Sequence, residues 1–196
     1  MNIGNATNHP TPNLFIVGAA KAGTTALWDL LRQHSQVYFP NDRYFKEPGY
    51  FSYVKKGTIK TEAQYLGLYR DAPLSAKYIC DASTAYITDP SSAGLIHTFN
   101  PDAKIIVTLR NPVDRAYSLY NYAKQQGFEL APTFQDALKL EPARKGRNIP
   151  NPILPSYYYN YMYIDSGRYY RQVKRYYQFF GPENVLVVKF ERLKKD

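Results

Sequence analysis

The chain has 196 residues, 44% of them hydrophobic, and a formal charge of +9. That length suits one globular domain with a real core, no run approaches the ~18 apolar residues of a membrane span, and the basic balance asks for an anionic partner. Cys80 is the only cysteine, which excludes an intrachain disulfide and makes a reducing cytoplasm the expected compartment.

The polar start MNIGNATNHPTPN lacks the apolar stretch of a secretory signal, so residues 1–11 are expected to be a flexible arm. LFIV, residues 14–17, reads as a short buried strand. GAAKAGTTAL, residues 18–27, follows it. Gly18 and Gly23 keep the spacing of the phosphate loop G-x-x-x-x-G-K-[ST], but Thr24 stands where that motif has lysine. The only lysine, Lys21, lies inside the loop. A tight turn with glycines for bending alone is the other reading. Leu27, Leu30, Leu31 and His34 then recur at i, i+3, i+4 and i+7, which predicts a helix over residues 24–34. QVYFP (36–40) is a short strand stopped by Pro40. NDRYFKEPGYFS is a loop, and Thr61 with Gln64 forms a capping box at the next helix start. Residues 77–80 are a second core strand, and DPSSAGLIHTFNP holds a short helix.

KIIVTL (104–109) is the clearest strand, and it ends in Arg110 rather than a metal-binding Asp. RNPVDRAYSLY follows, with Pro112 near a helix start and Gly127 after its end. Arg110 and Ser118 could face one pocket edge and bind a second phosphate. Residues 141–156, with four prolines, read as loop. Nine of the 20 tyrosines fall between Tyr157 and Tyr177, more in keeping with aromatic core and interface than with a platform for bases. Tyr169, Val173, Tyr176, Tyr177 and Phe180 mark one face of a helix that Gly181-Pro182 ends, and NVLVVKF (184–190) is the last strand. Strands alternating with helices predict an α/β fold with a mainly parallel central sheet flanked by helices.

The loop and the Arg110–Ser118 pair, in this order, resemble the sulfotransferases that use 3′-phosphoadenosine 5′-phosphosulfate (PAPS). The likeness extends through KEPGYFS, DASTAYI and SGRYYRQVKRYYQFFGPENVLVVKFERLKKD. It is nearest the heparan-sulfate-type branch, whose base is glutamate; Ala26 follows the two threonines where the cytosolic small-molecule branch commonly has tryptophan. The resemblance implies a P-loop-like three-layer fold and sulfuryl transfer to an acceptor hydroxyl. Lys21 would contact the bridging oxygen of the donor. Ala22, Gly23, Thr24, Thr25 and Ala26 would cradle the 5′ phosphate, and Arg110 and Ser118 would hold the 3′ phosphate. Glu47, in KEPGYF, would be the general base, with His34 and His97 as weaker rivals. PAPS would be the donor and its desulfated form, PAP, the product, with no metal. The acceptor would be a carbohydrate, lipid or small molecule and not nucleic acid. Ala82 stands where heparan-type members often carry a lysine near the acceptor. The family usually continues with a further helix and a Gly/Lys-rich loop, so residues 12–196 are expected to be a C-terminally incomplete domain inclined to self-association. Two competing readings are a phosphate-loop phosphotransferase and a non-catalytic domain that binds PAP or sulfated glycans.

Overall fold

A computed structural model describes residues 10–40, 43–53, 59–145 and 158–193. The expected N-terminal arm lies outside these residues except for Pro10 and Thr11. The chain opens with β1 (Leu14–Gly18) and α1 (Thr24–Leu31), then β2 (Val37–Tyr38), α2 (Glu62–Gly67) and β3 (Tyr78–Asp81). It continues through α3 (Ser92–Phe99), β4 (Lys104–Leu109), α4 (Pro112–Gln125) and α5 (Phe134–Arg144). After 3-10 turns at Tyr158–Tyr161 and Asp165–Gly167 come α6 (Tyr169–Phe180), β5 (Val185–Lys189) and the single turn α7 (Phe190–Leu193).

The five strands form one parallel sheet in the order β2-β3-β1-β4-β5. β1 is central and buried along its whole length, as a strand covered on both faces must be. Its side chains alternate between two cores. Phe15 and Val17 join Ile105, Val107, Tyr176 and Phe180 under α3 and α6. Leu14 and Ile16 join Leu27, Trp28 and Cys80 under α1. The expected three-layer α/β arrangement is therefore present. Among the described residues no helix is long and apolar enough to cross a membrane.

Local expectations mostly hold, with instructive exceptions. The capping box at Thr61 forms in both directions, with the Gln64 amide donating to Thr61 Oγ1 and Gln64 Oε1 accepting from the Thr61 N–H. α1 stops at Leu31 rather than His34, whose Nδ1 instead accepts from the Gln36 N–H in the turn that follows. The stretch expected as loop from residue 141 begins inside α5, which carries Pro142 in its last turn. There the proline removes only one helical hydrogen bond. Side-chain contacts hold that turn: Arg144 binds Glu129 through two hydrogen bonds of 2.7 and 2.8 Å, and Glu141 accepts from the Ile164 and Asp165 N–H groups. In α6, Tyr177 is 38% exposed while Gln172 is buried, so the buried face is rotated from the tyrosine stripe.

Candidate active site

In an open parallel sheet, ligands collect at the carboxyl ends of strands where the strand order reverses. Here β1 and β4 are neighbours, and both candidate anion motifs leave from their ends. Residues 18–23 turn tightly, with positive φ at Gly18, Lys21 and Gly23. Holding Lys21 at φ 66° costs roughly 1 kcal/mol. The Ala19 N–H donates to Thr108 O at 2.8 Å and Thr108 Oγ1 donates to Gly18 O at 3.1 Å, which fastens the loop to β4.

α1 begins at Thr24 with Gly23 as its cap, no side-chain cap and no acidic residue in its first turn. The first N–H groups of a helix have no partner within it and attract an anion. Ala22 and Thr24 are buried, whereas Thr25 and Ala26 are exposed at the helix start. The Ala22 side chain belongs to the core, so only its backbone is available to a ligand. Gly23 is required for a second reason. A Cβ there would lie 2.5 Å from the ring of Phe190, the first residue of α7.

Arg110 leaves β4 and turns back toward the loop, with Nη1 donating to the Lys21 carbonyl at 3.4 Å. Its guanidinium lies 4.9 Å from the centre of the Phe190 ring. The Lys21 ammonium sits 4.5 Å over the Tyr122 ring of α4. Ser118 is one helical turn before Tyr122, on the same face, and half-buried. Lys21, Arg110 and the Ser118 face of α4 are thus one neighbourhood. Burial, and then the Arg110 charge, hold the Lys21 pKa below its usual value. Among the described residues no carboxylate comes within 4 Å of either cation. Two like charges lie close together and partly desolvated, with Glu191 the carboxylate that feels the Arg110 charge, and such a pair favours a bound anion.

Glu47 approaches from a third segment. Its Oε2 accepts from Thr84 Oγ1 at 2.9 Å, and its Oε1 lies 3.9 Å from Lys46 Nζ. Lys46 Nζ in turn donates to Thr25 Oγ1 at 2.8 Å. Lys46 therefore ties the Glu47 segment to the first turn of α1. The two rival histidines, His34 and His97, are elsewhere. The His97 ring packs against Phe179 and Phe180. His34 lines a groove with Leu14, Lys104 and Val185, at the amino ends of the strands.

The residues not anticipated are Lys46, Thr84, Tyr122 and Phe190. Lys46 and Thr84 lie in segments whose likeness was evident, but their pairing is tertiary. Tyr122 at i+4 from Ser118 was open to a periodicity argument. Among the described residues no group of three or more His, Cys, Asp or Glu is arranged to hold a metal ion.

This arrangement has counterparts. The sulfotransferase domain family matches residues 11–196. The crystal structure of a sulfotransferase from Alicyclobacillus acidocaldarius superposes with a TM-score of 0.82 at 35% identity, covering 95% of this chain and 76% of that one. The membrane-associated sulfotransferase kil1 of Dictyostelium discoideum is 32% identical over 114 residues, which is 58% of this chain and 23% of that protein. The bifunctional heparan sulfate N-deacetylase/N-sulfotransferase 1 of Caenorhabditis briggsae is 24% identical over 94% of this chain and 21% of its own length. The chain thus spans under a quarter of the length of these two curated relatives. With a match over nearly its whole length and a strand-end loop facing an arginine at the end of the adjacent strand, the chain belongs to the sulfotransferase domain family.

Proposed function

We propose that the chain transfers a sulfuryl group from PAPS to an acceptor hydroxyl by in-line displacement, with Glu47 as general base. The observation that carries this reading is the Lys21–Arg110 pair, two cations sharing one strand-end crevice with no carboxylate within 4 Å among the described residues. The donor supplies an activated sulfuryl group at its 5′ phosphate and a separate phosphate at the 3′ position.

Lys21 would hold negative charge at the loop as it develops there, an electrostatic role that gains strength as water is excluded. The N–H groups of Gly23–Ala26 and the Thr25 hydroxyl would bind the 5′ phosphate at the start of α1. Arg110 and Ser118 would bind the 3′ phosphate, which distinguishes the ligand from ATP. Glu47, held by Thr84 and Lys46, would accept the proton of the attacking hydroxyl. The strand-end loop, Lys21 and Arg110 suit the two anionic groups of this donor. The acceptor is a hydroxyl-bearing carbohydrate on this reading; carbohydrate sulfotransferase 15 of Mus musculus, 29% identical over 57% of this chain, supports the carbohydrate class.

Calorimetry with PAP against ATP-Mg tests the reading. A charge-assisted contact contributes about 1.5–3 kcal/mol, so PAP should bind at least about tenfold tighter than ATP-Mg, and without magnesium. Equal or tighter ATP-Mg binding would favour a phosphotransferase and overturn the proposal.

A further inference from the structure

A second basic cavity, of about 630 Å³, opens at the start of α6. It is lined by the turn of Thr88 and Pro90 and by Lys145, Arg168, Arg171 and Arg175, with Asp165 the only carboxylate in its wall among the described residues. Lys145 and Arg168 share that carboxylate, at 3.8 and 3.9 Å. Arg171 and Arg175 have no carboxylate within 4 Å among the described residues. Arg175 Nη1 donates to Asp89 O at 3.1 Å, which fixes its head against the turn.

The helix itself adds two features. α6 has 12 residues, no side-chain cap and no acidic residue in its first turn, so its first N–H groups lack a capping partner. Gln172, also in the wall, is 7% exposed, and its Oε1 is a buried acceptor with no donor. Its orientation follows from its Nε2, which lies 3.5 and 3.4 Å from the Asp165 and Ser166 carbonyls. An orphaned buried acceptor is costly unless a ligand or water donates to it. Arg168, Arg171, Gln172 and Arg175 fall at i, i+3, i+4 and i+7, so one stripe presents the cations together with that acceptor.

The cavity adjoins the candidate active site. Tyr169, in its wall, donates its hydroxyl to Arg110 O at 3.1 Å. Thr84, which binds Glu47, is four residues from Thr88 in the cavity wall, so the Cα atoms of those two threonines are at most about 14 Å apart.

We propose that this cavity is an acceptor subsite for the carboxylate or sulfate group of an acidic oligosaccharide. The N–H groups of α6 and Arg168, Arg171 and Arg175 take the acid, and Gln172 Oε1 accepts from a ring hydroxyl. A hydroxyl offered to Glu47 and an acid held at α6 then belong to one short oligosaccharide. This inference rests on the sulfuryl-transfer reading for its role but not for its binding chemistry.

Direct binding tests it on the whole chain. Tetragalacturonate supplies carboxylates, a sulfated dextran oligomer supplies sulfates, and maltotetraose is the neutral control. Titrations are followed by calorimetry with and without PAP. One or both acidic oligomers should bind and maltotetraose should not. Arg171→Gln should weaken acidic-oligomer binding by about tenfold, the range of one charge-assisted contact. Lys174→Gln, the same charge change at an exposed neighbour outside the cavity, should leave it within about twofold. Gln172→Met should weaken binding severalfold, with its melting temperature checking the fold. PAP affinity should be unchanged in all three variants. Equal losses for Arg171→Gln and Lys174→Gln would reduce the effect to overall charge and overturn the subsite. A fall in PAP affinity with Arg171→Gln would assign the cavity to the nucleotide and overturn it too, as would failure of both acidic oligomers to bind. Failure of PAP itself to bind would instead strike at the sulfuryl-transfer reading, and acidic-oligomer binding with the same variant pattern would still support the subsite.

Discussion

Single residues in the crevice carry distinct, separable loads. Lys21 is held below its usual pKa of 10.5 by burial and by Arg110. The unfolded chain therefore binds more protons there than the folded one. The charge destabilises the fold below the folded-state pKa, and this cost fades as pH rises through that value. A bound anion reverses the bias. PAP affinity should fall as pH rises through the lowered Lys21 pKa, earlier than an ordinary lysine would allow, and Lys21→Ala should abolish that alkaline limb. Calorimetry across alkaline pH reads it directly. Glu47→Gln keeps shape but cannot take a proton, so sulfate transfer should drop about 10²–10⁴-fold with PAP affinity intact. A loss under tenfold in a turnover assay would remove Glu47 from the role of base. Gly23→Ala should weaken PAP binding, because the new methyl meets Phe190 and a φ of 84° suits glycine alone.

At the scale of elements, α5 is held by polar groups more than by its own pattern. Glu129 is buried, and burial opposes its charge. The hydrogen bonds from Arg144 and Tyr163 outweigh that and keep its carboxyl below the usual range. The stability this contributes is present above the unfolded carboxylate pKa and is lost as pH falls through the lower folded value. Glu129→Ala leaves Arg144 without its partner and should cost about 3–5 kcal/mol, measured by urea unfolding. Arg144 and Glu141 carry that support toward the start of α6. They brace Tyr163 and the N–H groups of Ile164 and Asp165, and so set the approach of Arg168 to α6. Buried Arg115 of α4 secures the same segment by donating to Tyr163 O and Ser166 Oγ.

For the molecule as a whole, the two ends of the sheet differ in chemistry. The carboxyl ends gather Lys21, Arg110 and Glu47, with the α6 cavity alongside. The amino ends expose an apolar groove of about 500 Å³ between α1 and β5, where Leu186 is 58% exposed and Ile106 only partly covered. An apolar patch of this kind favours association. Sedimentation velocity should show concentration-dependent self-association, and Leu186→Lys should shift the chain toward monomer. Unchanged sedimentation between the two would leave the groove without that role. The net charge of +9 predicts that binding of PAP and of acidic oligomers weakens as salt is raised.

Much of this was legible in the linear chain. The loop at residues 18–27, the strand ending in Arg110, the capping box at Thr61 and the Gly181-Pro182 stop are local signals, set by backbone sterics and hydrogen-bonding rules acting within a few residues. Their order along an alternating β/α pattern was enough for a parallel α/β fold with two candidate phosphate motifs at strand ends. What lay beyond reach depends on contacts distant in sequence. α5 runs through Pro142 because Glu129, Ile164 and Asp165 hold its last turn, and no local window contains them. Lys46 reaches Thr25 and Thr84 reaches Glu47 only once β1 and β3 are neighbours. The cations from Arg168 to Arg175 carry no sequence signal of a cavity, because Lys145 and the Thr88 turn across from them come from elsewhere in the chain. Periodicity says which face of a helix is polar. Only the tertiary structure decides whether that face meets water or encloses a cavity, because the other wall comes from elsewhere in the chain.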